Sequence, residues 1–144
     1  MIVGYFDGCC EPRNPGGAMG WGAWIERDGE HIWETAQMQP ANPANSNNVA
    51  EYLGLIALLD RLGEEDLRNE PIEIRGDSQL VINQMFGTWR VKKGLYADMA
   101  RAAADKLRRF PRATGGHVKR DLNEKADELS KQALVAAGVE IAQR

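Results

Sequence analysis

Ile2-Val3-Gly4-Tyr5-Phe6-Asp7-Gly8 begins the chain as an apolar run that ends in a carboxylate and a glycine. A short apolar run bounded by such residues is typical of a buried strand. Asp7 is therefore expected at the end of a first strand, beside a turn. An ordinary alternative is that Asp7 serves only as a turn residue.

Two more strands are predicted after this run, beyond a segment rich in glycine and proline. That segment, Gly8 to Gly20, is expected to be a loop or wide turn. The strands are Trp21 to Ile25 and His31 to Thr35, and Asp28-Gly29 between them is typical of a hairpin turn. Three consecutive strands predict an antiparallel meander.

The rest of the chain alternates between helical and strand patterns. The predicted elements are a helix Val49 to Leu62, a strand Ile72 to Arg75, helices Ser78 to Phe86 and Gly94 to Phe110, a strand Thr114 to Lys119 and a helix Asn123 to Ala137. Strands that are separated by helices run parallel through right-handed crossovers. The order predicts an α/β fold with a mixed five-stranded sheet, three strands antiparallel and the later ones parallel, covered by helices on both faces.

Composition bounds the size and the partners of the protein. The 144 residues, 43% of them hydrophobic, suffice for a single domain, residues 1–144. The net charge of −3 argues against a nucleic-acid partner, but residues 86–120 carry ten Lys or Arg and only two acids. This basic sector suits a phosphate backbone. The alternative is an amphipathic helix with a solvated basic face.

The cysteines and the hydropathy pattern predict a cytoplasmic protein with no membrane partner. Cys9 and Cys10 are adjacent, so a disulfide between them would be strained, and a reducing compartment is expected. No apolar run approaches the roughly 20 residues that span a bilayer.

Four carboxylates, Asp7, Glu51, Asp77 and Asp127, lie at the edges of four different predicted elements. Parallel strands bring their carboxyl ends to one edge of a sheet, where Asp7 and Asp77 would meet. Converging acids resist ionisation unless cations compensate them. Oxygen ligands suit Mg²⁺ or Mn²⁺, and two such ions about 3.5–4 Å apart form the usual clamp for attack on a phosphodiester.

Each acid also has an ordinary structural explanation. Glu51 follows Asn48 at the spacing of a capping box. Asp77 could be a helix N-cap, and Asp127 could simply be favoured by the dipole of the last helix. The topology brings the edges of these elements together. The presence of a carboxylate at all four edges is therefore harder to attribute to chance.

Four motifs occur in order along nearly the whole chain. They are Tyr5-Phe6-Asp7-Gly8 with Asn14-Pro15-Gly16-Gly17 and Gly20-Trp21-Gly22, then Ser46-Asn47-Asn48-Val49-Ala50-Glu51, then Gly76-Asp77-Ser78-Gln79-Leu80-Val81, and finally residues 117–127, His117-Val118-Lys119-Arg120-Asp121-Leu122-Asn123-Glu124-Lys125-Ala126-Asp127. Together they resemble the type 1 ribonuclease H family, enzymes that cut the RNA strand of RNA/DNA hybrids. The resemblance implies a ribonuclease H-like fold.

The resemblance also implies a metal site and a reaction. The metal-binding acids of the family fall on Asp7, Glu51, Asp77 and Asp127, with Asp7 bridging two ions, Mg²⁺ or Mn²⁺. Glu51 and Asp77 would complete one site, and Asp127 would hold the other ion more loosely. The implied chemistry is in-line attack by a metal-activated water, which leaves a 5′-phosphate and a 3′-hydroxyl.

Contacts with an RNA/DNA hybrid are implied at six positions. These are Asn14, Asn48 and Gln79 on the RNA strand, and Ser46 or Asn47 with the neighbourhood of Trp89 on the DNA strand. Amide side chains offer a donor and an acceptor to a ribose 2′-hydroxyl. Alternatively, Asn14 is a turn residue, Gln79 a helix former and Trp89 a core or covering residue.

The chain departs from many family members in two ways, which resembles a subgroup with a shortened loop. It has no long basic insertion before the helix predicted at Gly94, and the loop before the last helix has no histidine. Arg120 is the candidate to replace that histidine in catalysis, and the alternative is an exposed loop cation. His117 precedes the loop and is expected to be structural.

Two other functions remain open for a monomeric protein of this type. One is a catalytically silent module that binds hybrids, because a fold does not guarantee an activity. The other is a DNA-directed nuclease of the wider superfamily. The presence of all four acids favours the enzyme, and the surroundings of Asn14 and Gln79 favour a hybrid substrate.

Overall fold

A five-stranded mixed sheet organises the protein in a computed structural model that describes residues 1–143. Its order across the sheet is β3-β2-β1-β4-β5. The elements are β1 Ile2–Glu11, β2 Ala18–Arg27, β3 Glu30–Gln39, α1 Asn47–Glu64, β4 Ile72–Gly76, α2 Gln79–Met85, α3 Ala97–Leu107, β5 Ala113–His117, a 3-10 turn Arg120–Leu122 and α4 Glu124–Ala136. The predicted element order and mixed sheet are confirmed.

Strand pairing places Asp7 beyond the parallel part of the sheet. β1 pairs antiparallel with β2 along its whole length, whereas its parallel pairing with β4 stops where Tyr5 meets Arg75. The prediction that Asp7 ends its strand is therefore wrong, since β1 continues to Glu11. Asp7 instead lies two residues past the last parallel pair, at the edge of the sheet where β4 ends.

The expected wide loop from Gly8 to Gly20 is mostly strand, and the turn shrinks to residues 12–17. Two of its glycines serve close packing and not a turn. A Cβ on Gly8 would lie 2.2 Å from the carbonyl carbon of Ala50 in α1, and one on Gly20 would lie 1.9 Å from the carbonyl oxygen of Ser130 in α4. Glycine lets a helix backbone approach the strand here.

Helices cover both faces of the sheet, as predicted. Alternate residues of β1 point to opposite sides, so Gly4 meets Leu58 of α1 while the Cys9 thiol lies 3.6 Å from the Ser130 carbonyl oxygen of α4. The main core lies between the sheet and α1 to α3, and its largest fully buried side chains include Phe6 and Tyr52.

The short connections differ in how closely they follow the sequence patterns. Asp28 and Gly29 both have positive φ, 52° and 83°, so the predicted two-residue hairpin turn is confirmed. The helix expected from Gly94 to Phe110 is shorter, Ala97–Leu107, and residues 86–96 form a loop that is exposed except at Phe86, Val91 and Tyr96. Among the described residues, no helix has the length and apolar character needed to cross a membrane.

Candidate active site

Three carboxylates from β1, α1 and the end of β4 meet in one cluster. Asp7, Glu51 and Asp77 each place one oxygen within 4.8 Å of the others. Asp7 and Glu51 are buried, with 4% and 9% of their surface exposed, and Asp77 is partly exposed. The cluster therefore opens to solvent on the Asp77 side.

Tight packing of α1 on β1 brings Glu51 beside Asp7. Gly8 lies against Ala50, and a Cβ on Gly54 would be 2.7 Å from the Asp7 carbonyl oxygen. The capping-box explanation for Glu51 is wrong, because the helix starts two residues earlier than that spacing requires. Its N-cap is Ser46, whose hydroxyl accepts a hydrogen bond from the Val49 amide at 3.2 Å. Glu51 therefore lies beyond the first turn.

Asp77 enters the cluster from the connection between β4 and α2. It is not the N-cap of α2, since the hydroxyl of Ser78 takes that role and accepts from the Val81 amide. The Asp77 carboxylate is thereby left available to the cluster, where its Oδ2 lies 3.4 Å from the amide nitrogen of Asn123.

Asn123 is a site residue that the sequence patterns did not single out. It is 2% exposed, and its Nδ2 donates to the carbonyl oxygen of Phe6 at 3.0 Å and to Asp77. The main-chain carbonyl oxygen of Asn123 accepts a hydrogen bond from the main-chain N–H of Asp127 at 3.0 Å. The buried side-chain amide thus connects the strand of Asp7 with the Asp77 carboxylate, while the main chain of the same residue begins α4. Its place directly before a helix was the available signal.

Asp127 lies near the cluster but is not one of the three converging acids. It is in the first turn of α4, and its Oδ2 accepts from the ammonium group of Lys131, one turn later, at 3.3 Å. Its charge is nevertheless close enough to raise the pKa of Asp77. Lys131 was also not singled out from sequence, and it balances the charge of this fourth acid.

Burial and mutual repulsion make the cluster hard to ionise. Burial, and then the charge of Asp77, raise the pKa of the Asp7 carboxyl to about 8. The pKa of Glu51 is raised well above its ordinary value by burial and then by the charge of Asp7. Burial also raises the pKa of Asp77, and the Asn123 amide and the Arg120 guanidinium oppose that rise.

The chemistry of this donor set fits a hard divalent cation. The Oε2 atom of Glu51 is buried without a hydrogen-bond partner, and buried polar atoms of this kind need an explanation. A cation between Glu51, Asp7 and Asp77 would satisfy that oxygen and favour the charged forms of the three carboxyls, whose pKa values are raised first of all by burial. Carboxylate oxygens are the ligands that Mg²⁺ and Mn²⁺ prefer.

A cavity of about 260 Å³ lies beside the cluster and contains further charged groups. Its wall includes Glu51, Arg120 and Lys131. Arg120 is exposed in the 3-10 turn, and its charge is close enough to lower the pKa of Asp77. Its role in place of the loop histidine stays a prediction. His117, at the end of β5, has its Nε2 3.2 Å from the Asp77 carbonyl oxygen. Its ring therefore contacts the backbone of Asp77.

The turn between β1 and β2 is joined to the start of α1 by amide groups. Asn14 Oδ1 accepts from the Asn47 amide at 2.9 Å, and Asn47 Oδ1 accepts from the Cys10 amide at 2.7 Å. Asn14 and Asn47 are both implied to contact the hybrid. Their side chains thus also connect the turn between β1 and β2 to the start of α1. Ser46, a third such position, is the helix cap described above.

The remaining implied contact positions lie on the surface. Asn48 is exposed in the first turn of α1, and Gln79 is exposed at the start of α2, two residues after Asp77. Trp89 is 50% exposed in the loop of residues 86–96, so it is not a core residue. Arg90 and Lys92 beside it are exposed as well.

Comparison with known proteins identifies the family. Residues 5–133 match a family model described as reverse transcriptase-like. The chain is 37% identical to a ribonuclease HI of Halobacterium salinarum, covering 92% of this chain and 64% of that protein. It is 31% identical to a ribonuclease H of Phenylobacterium zucineum, covering 94% of this chain and 92% of that one. The solved complex of LC11-RNase H1 with an RNA/DNA hybrid superimposes with a TM-score of 0.83 at 33% identity, over 95% of this chain and 99% of that one.

The mixed sheet, the helices on both faces and the acidic cluster define a ribonuclease H-like protein. The chain belongs to the type 1 ribonuclease H family. It spans 64% of the length of the Halobacterium relative and 35% of a bifunctional Mycobacterium tuberculosis relative to which it is 36% identical.

Proposed function

We propose that the protein is a divalent-metal-dependent endonuclease that hydrolyses the RNA strand of RNA/DNA hybrids. The observation that carries this proposal is the convergence of Asp7, Glu51 and Asp77 within 4.8 Å in a chain of this family. The complex of LC11-RNase H1 with a hybrid supports the substrate. Residues 1–144 would act as one catalytic domain, and as a monomer.

The carboxylates would hold two ions, Mg²⁺ or Mn²⁺. Asp7, Glu51 and Asp77 would provide one site, and Asp7 with Asp127 the other. Bound ions would supply charge neutralisation at the scissile phosphate and activate water for in-line attack, leaving a 5′-phosphate and a 3′-hydroxyl. Lys131 would release Asp127 for this purpose, since its ion pair with that acid is partly solvated and weak.

Other residues of the chain would position the substrate and keep the carboxylate cluster in its arrangement. Asn123 would hold Asp77 and the strand of Asp7 in register through its buried amide. Arg120 would offer a cation to the reacting phosphate from the rim of the cavity. The exposed amides of Asn48 and Gln79 would meet the ribose hydroxyls of the RNA strand.

Cleavage of end-labelled substrates tests this function. With Mg²⁺ or Mn²⁺ we expect the RNA strand of a hybrid to be cut, while duplex DNA and duplex RNA stay intact. Asp7→Asn should reduce turnover by more than about a hundredfold, because even outer partners of a metal ligand commonly contribute ten- to a hundredfold. Asp105→Asn, which changes an exposed acid on α3, is the matched control and should cut normally.

Other results would select a different function. A hybrid that is bound tightly but left uncut by folded protein with either ion would indicate a binding module. Cleavage of duplex DNA at a comparable rate would indicate a DNA-directed nuclease. Normal turnover by Asp7→Asn would show that the acidic cluster is not the catalytic centre.

A further inference from the structure

Gln84, near the end of α2, makes hydrogen bonds to three residues in two other parts of the protein. Its Oε1 accepts from the hydroxyl of Tyr52 at 2.5 Å. Its Nε2 donates to the carbonyl oxygen of Arg90 at 3.0 Å and to the hydroxyl of Tyr96 at 3.2 Å. Both ends of the amide are therefore used, and together they connect α1 to the loop of residues 86–96 at Arg90 and Tyr96.

The contacts of Gln84 restrain the main chain of the loop. The Tyr96 hydroxyl, besides accepting from Gln84, accepts from the amide of Lys92 at 3.3 Å. The loop is thus tied through Arg90 and Lys92, on either side of Val91, whose side chain packs against the core. Trp89 is held separately, by the hydrogen bond that its main-chain N–H donates to the Asn83 main-chain carbonyl oxygen at 3.1 Å.

Tyr52 gives this network a rigid base next to the acidic cluster. Its side chain is fully buried, and its ring stacks on that of Tyr96 with centroids 6.1 Å apart and planes 5° from parallel. Tyr52 follows Glu51 directly in α1. The position of the loop is therefore set relative to the same helix turn that supplies a carboxylate to the cluster.

The loop carries an exposed tryptophan and three exposed cations, groups that suit contact with a polyanion. Trp89, Arg90, Lys92 and Lys93 are all exposed, and between α2 and α3 they present three cations without an acid. An irregular loop of this kind would lose conformational freedom on binding unless it were already ordered, and that loss weakens affinity.

We propose that Gln84 is a positioning residue for nucleic-acid binding, which orders the loop of residues 86–96 at a fixed distance from the carboxylate cluster. This inference rests on the proposed function, because the ordered loop is useful only if a hybrid is bound. Gln84 need not touch the substrate, and it acts through the main chain at Arg90 and Lys92.

The test compares Gln84→Met, which keeps the approximate size but removes the hydrogen bonds, with Asn83→Ala on the same helix. The Asn83 amide donates only to the Gln79 carbonyl among its described bonds, so its removal should change little. Tyr52→Phe, which keeps the ring, provides a second variant in case Gln84→Met folds poorly. Thermal unfolding checks that each variant is folded.

Two measurements are made on each protein. Fluorescence anisotropy with a labelled hybrid in EDTA gives Kd without cleavage, and amide hydrogen exchange reports the protection of Lys92. Gln84→Met should raise Kd about tenfold, which corresponds to roughly 1.4 kcal/mol and thus to one or two ordinary hydrogen bonds. It should also lose protection at Lys92 and raise KM in Mg²⁺ with kcat within about twofold. Tyr52→Phe should give the same changes, but smaller ones.

The outcomes separate this inference from the proposed function. If the wild-type protein binds and cuts the hybrid but Gln84→Met has the same Kd and KM, the positioning role is wrong and the function stands. A higher Kd with unchanged protection at Lys92 would also overturn it, since the loop would not be the cause. If the wild-type protein neither binds nor cuts hybrids, the proposed function fails and the inference with it.

Discussion

At the scale of single residues, the site is a set of acids held in a state that costs folding energy. Asp7 and Glu51 are buried together, and Asp77 completes a cluster in which each charge opposes the others. A structure selected for stability alone would replace such a group with apolar or paired side chains. A bound cation would offset the cost of burying these acids together, which explains why the cluster is present.

This strain predicts how the stability of the metal-free protein depends on pH. The pKa of Asp7 is about 8 in the folded protein and near 3.8 when unfolded, so between these values the folded state binds more protons. The free energy of unfolding must therefore fall as pH rises through this window. Asp7→Asn should become more stable relative to wild type by at least about 1.4 kcal/mol, the value of one pKa unit, between pH 5 and pH 8.

Chemical denaturation in EDTA at several pH values measures this difference. Asp105→Asn, on an exposed acid, should keep a constant difference from wild type over the same range. Saturating Mn²⁺ should remove most of the pH-dependent loss in the wild-type protein. A difference between Asp7→Asn and wild type that does not change with pH would contradict the account of a repelling buried cluster.

The prediction of individual site residues from sequence depended on the chemical type of each residue and on the local pattern around it. The four acids could be identified from their chemical type and their motifs, although the strand end predicted for Asp7 is wrong because β1 continues to Glu11. Asn123 could not, because its importance comes from reaching Phe6 and Asp77, which are distant in sequence. Gln84 was missed for the same reason, since nothing in the local pattern shows that Tyr52 and Arg90 meet it.

At the scale of elements, glycines decide how closely the helices approach β1 and β2. Periodicity predicted the kinds and order of the elements, because strand and helix periods are local properties. It misassigned Gly8 to Gly20 as loop, because glycine permits both turns and close backbone contact and only the packed structure distinguishes them. The same ambiguity concealed that β1 extends past Asp7 to Glu11.

Close packing at Gly8 predicts a sensitive position. In Gly8→Ala the new Cβ would lie 2.2 Å from the Ala50 carbonyl carbon and 2.4 Å from the Glu51 amide nitrogen, so α1 must move. We expect a loss of about 1–3 kcal/mol in the free energy of unfolding. We also expect weaker Mn²⁺ binding, because the same movement carries Glu51 away from Asp7.

Denaturant unfolding and calorimetric titration with Mn²⁺ check both effects. Gly63→Ala, in the last turns of α1, is the control, since its Cβ would meet only the end of the Arg68 side chain at 3.1 Å. That variant should unfold and bind like wild type or be slightly more stable, as expected for alanine in a helix. If Gly8→Ala matched Gly63→Ala in both measurements, the close approach of α1 would not control the site.

At the scale of the whole molecule, the topology gathers distant parts of the chain and separates charge. β1, α1, the connection after β4 and α4 contribute the four acids, although 120 positions separate Asp7 from Asp127. The basic residues concentrate between residues 86 and 120, so the net charge of −3 conceals a positive segment, of which Arg120 lies near the acidic cluster. Such a distribution would attract a polyanion while cations occupy the acids.

The fold could be predicted at this scale because the order of elements limits the possible sheets. Parallel strands joined by right-handed crossovers place β4 next to β1 or close to it, and the meander accounts for the other edge. The exact convergence of side chains could not be predicted, since Asp127 turns toward Lys131 while the other three acids converge.

Anomalous diffraction from a crystal soaked in Mn²⁺ tests the central claim most directly. We expect a strong manganese peak bounded by the carboxylates of Asp7, Glu51 and Asp77, and a weaker one toward Asp127 after Lys131 has moved away. Asp7→Asn crystals treated in the same way should lose both peaks. A well-diffracting wild-type crystal at saturating Mn²⁺ with no peak between Asp7, Glu51 and Asp77 would contradict the account.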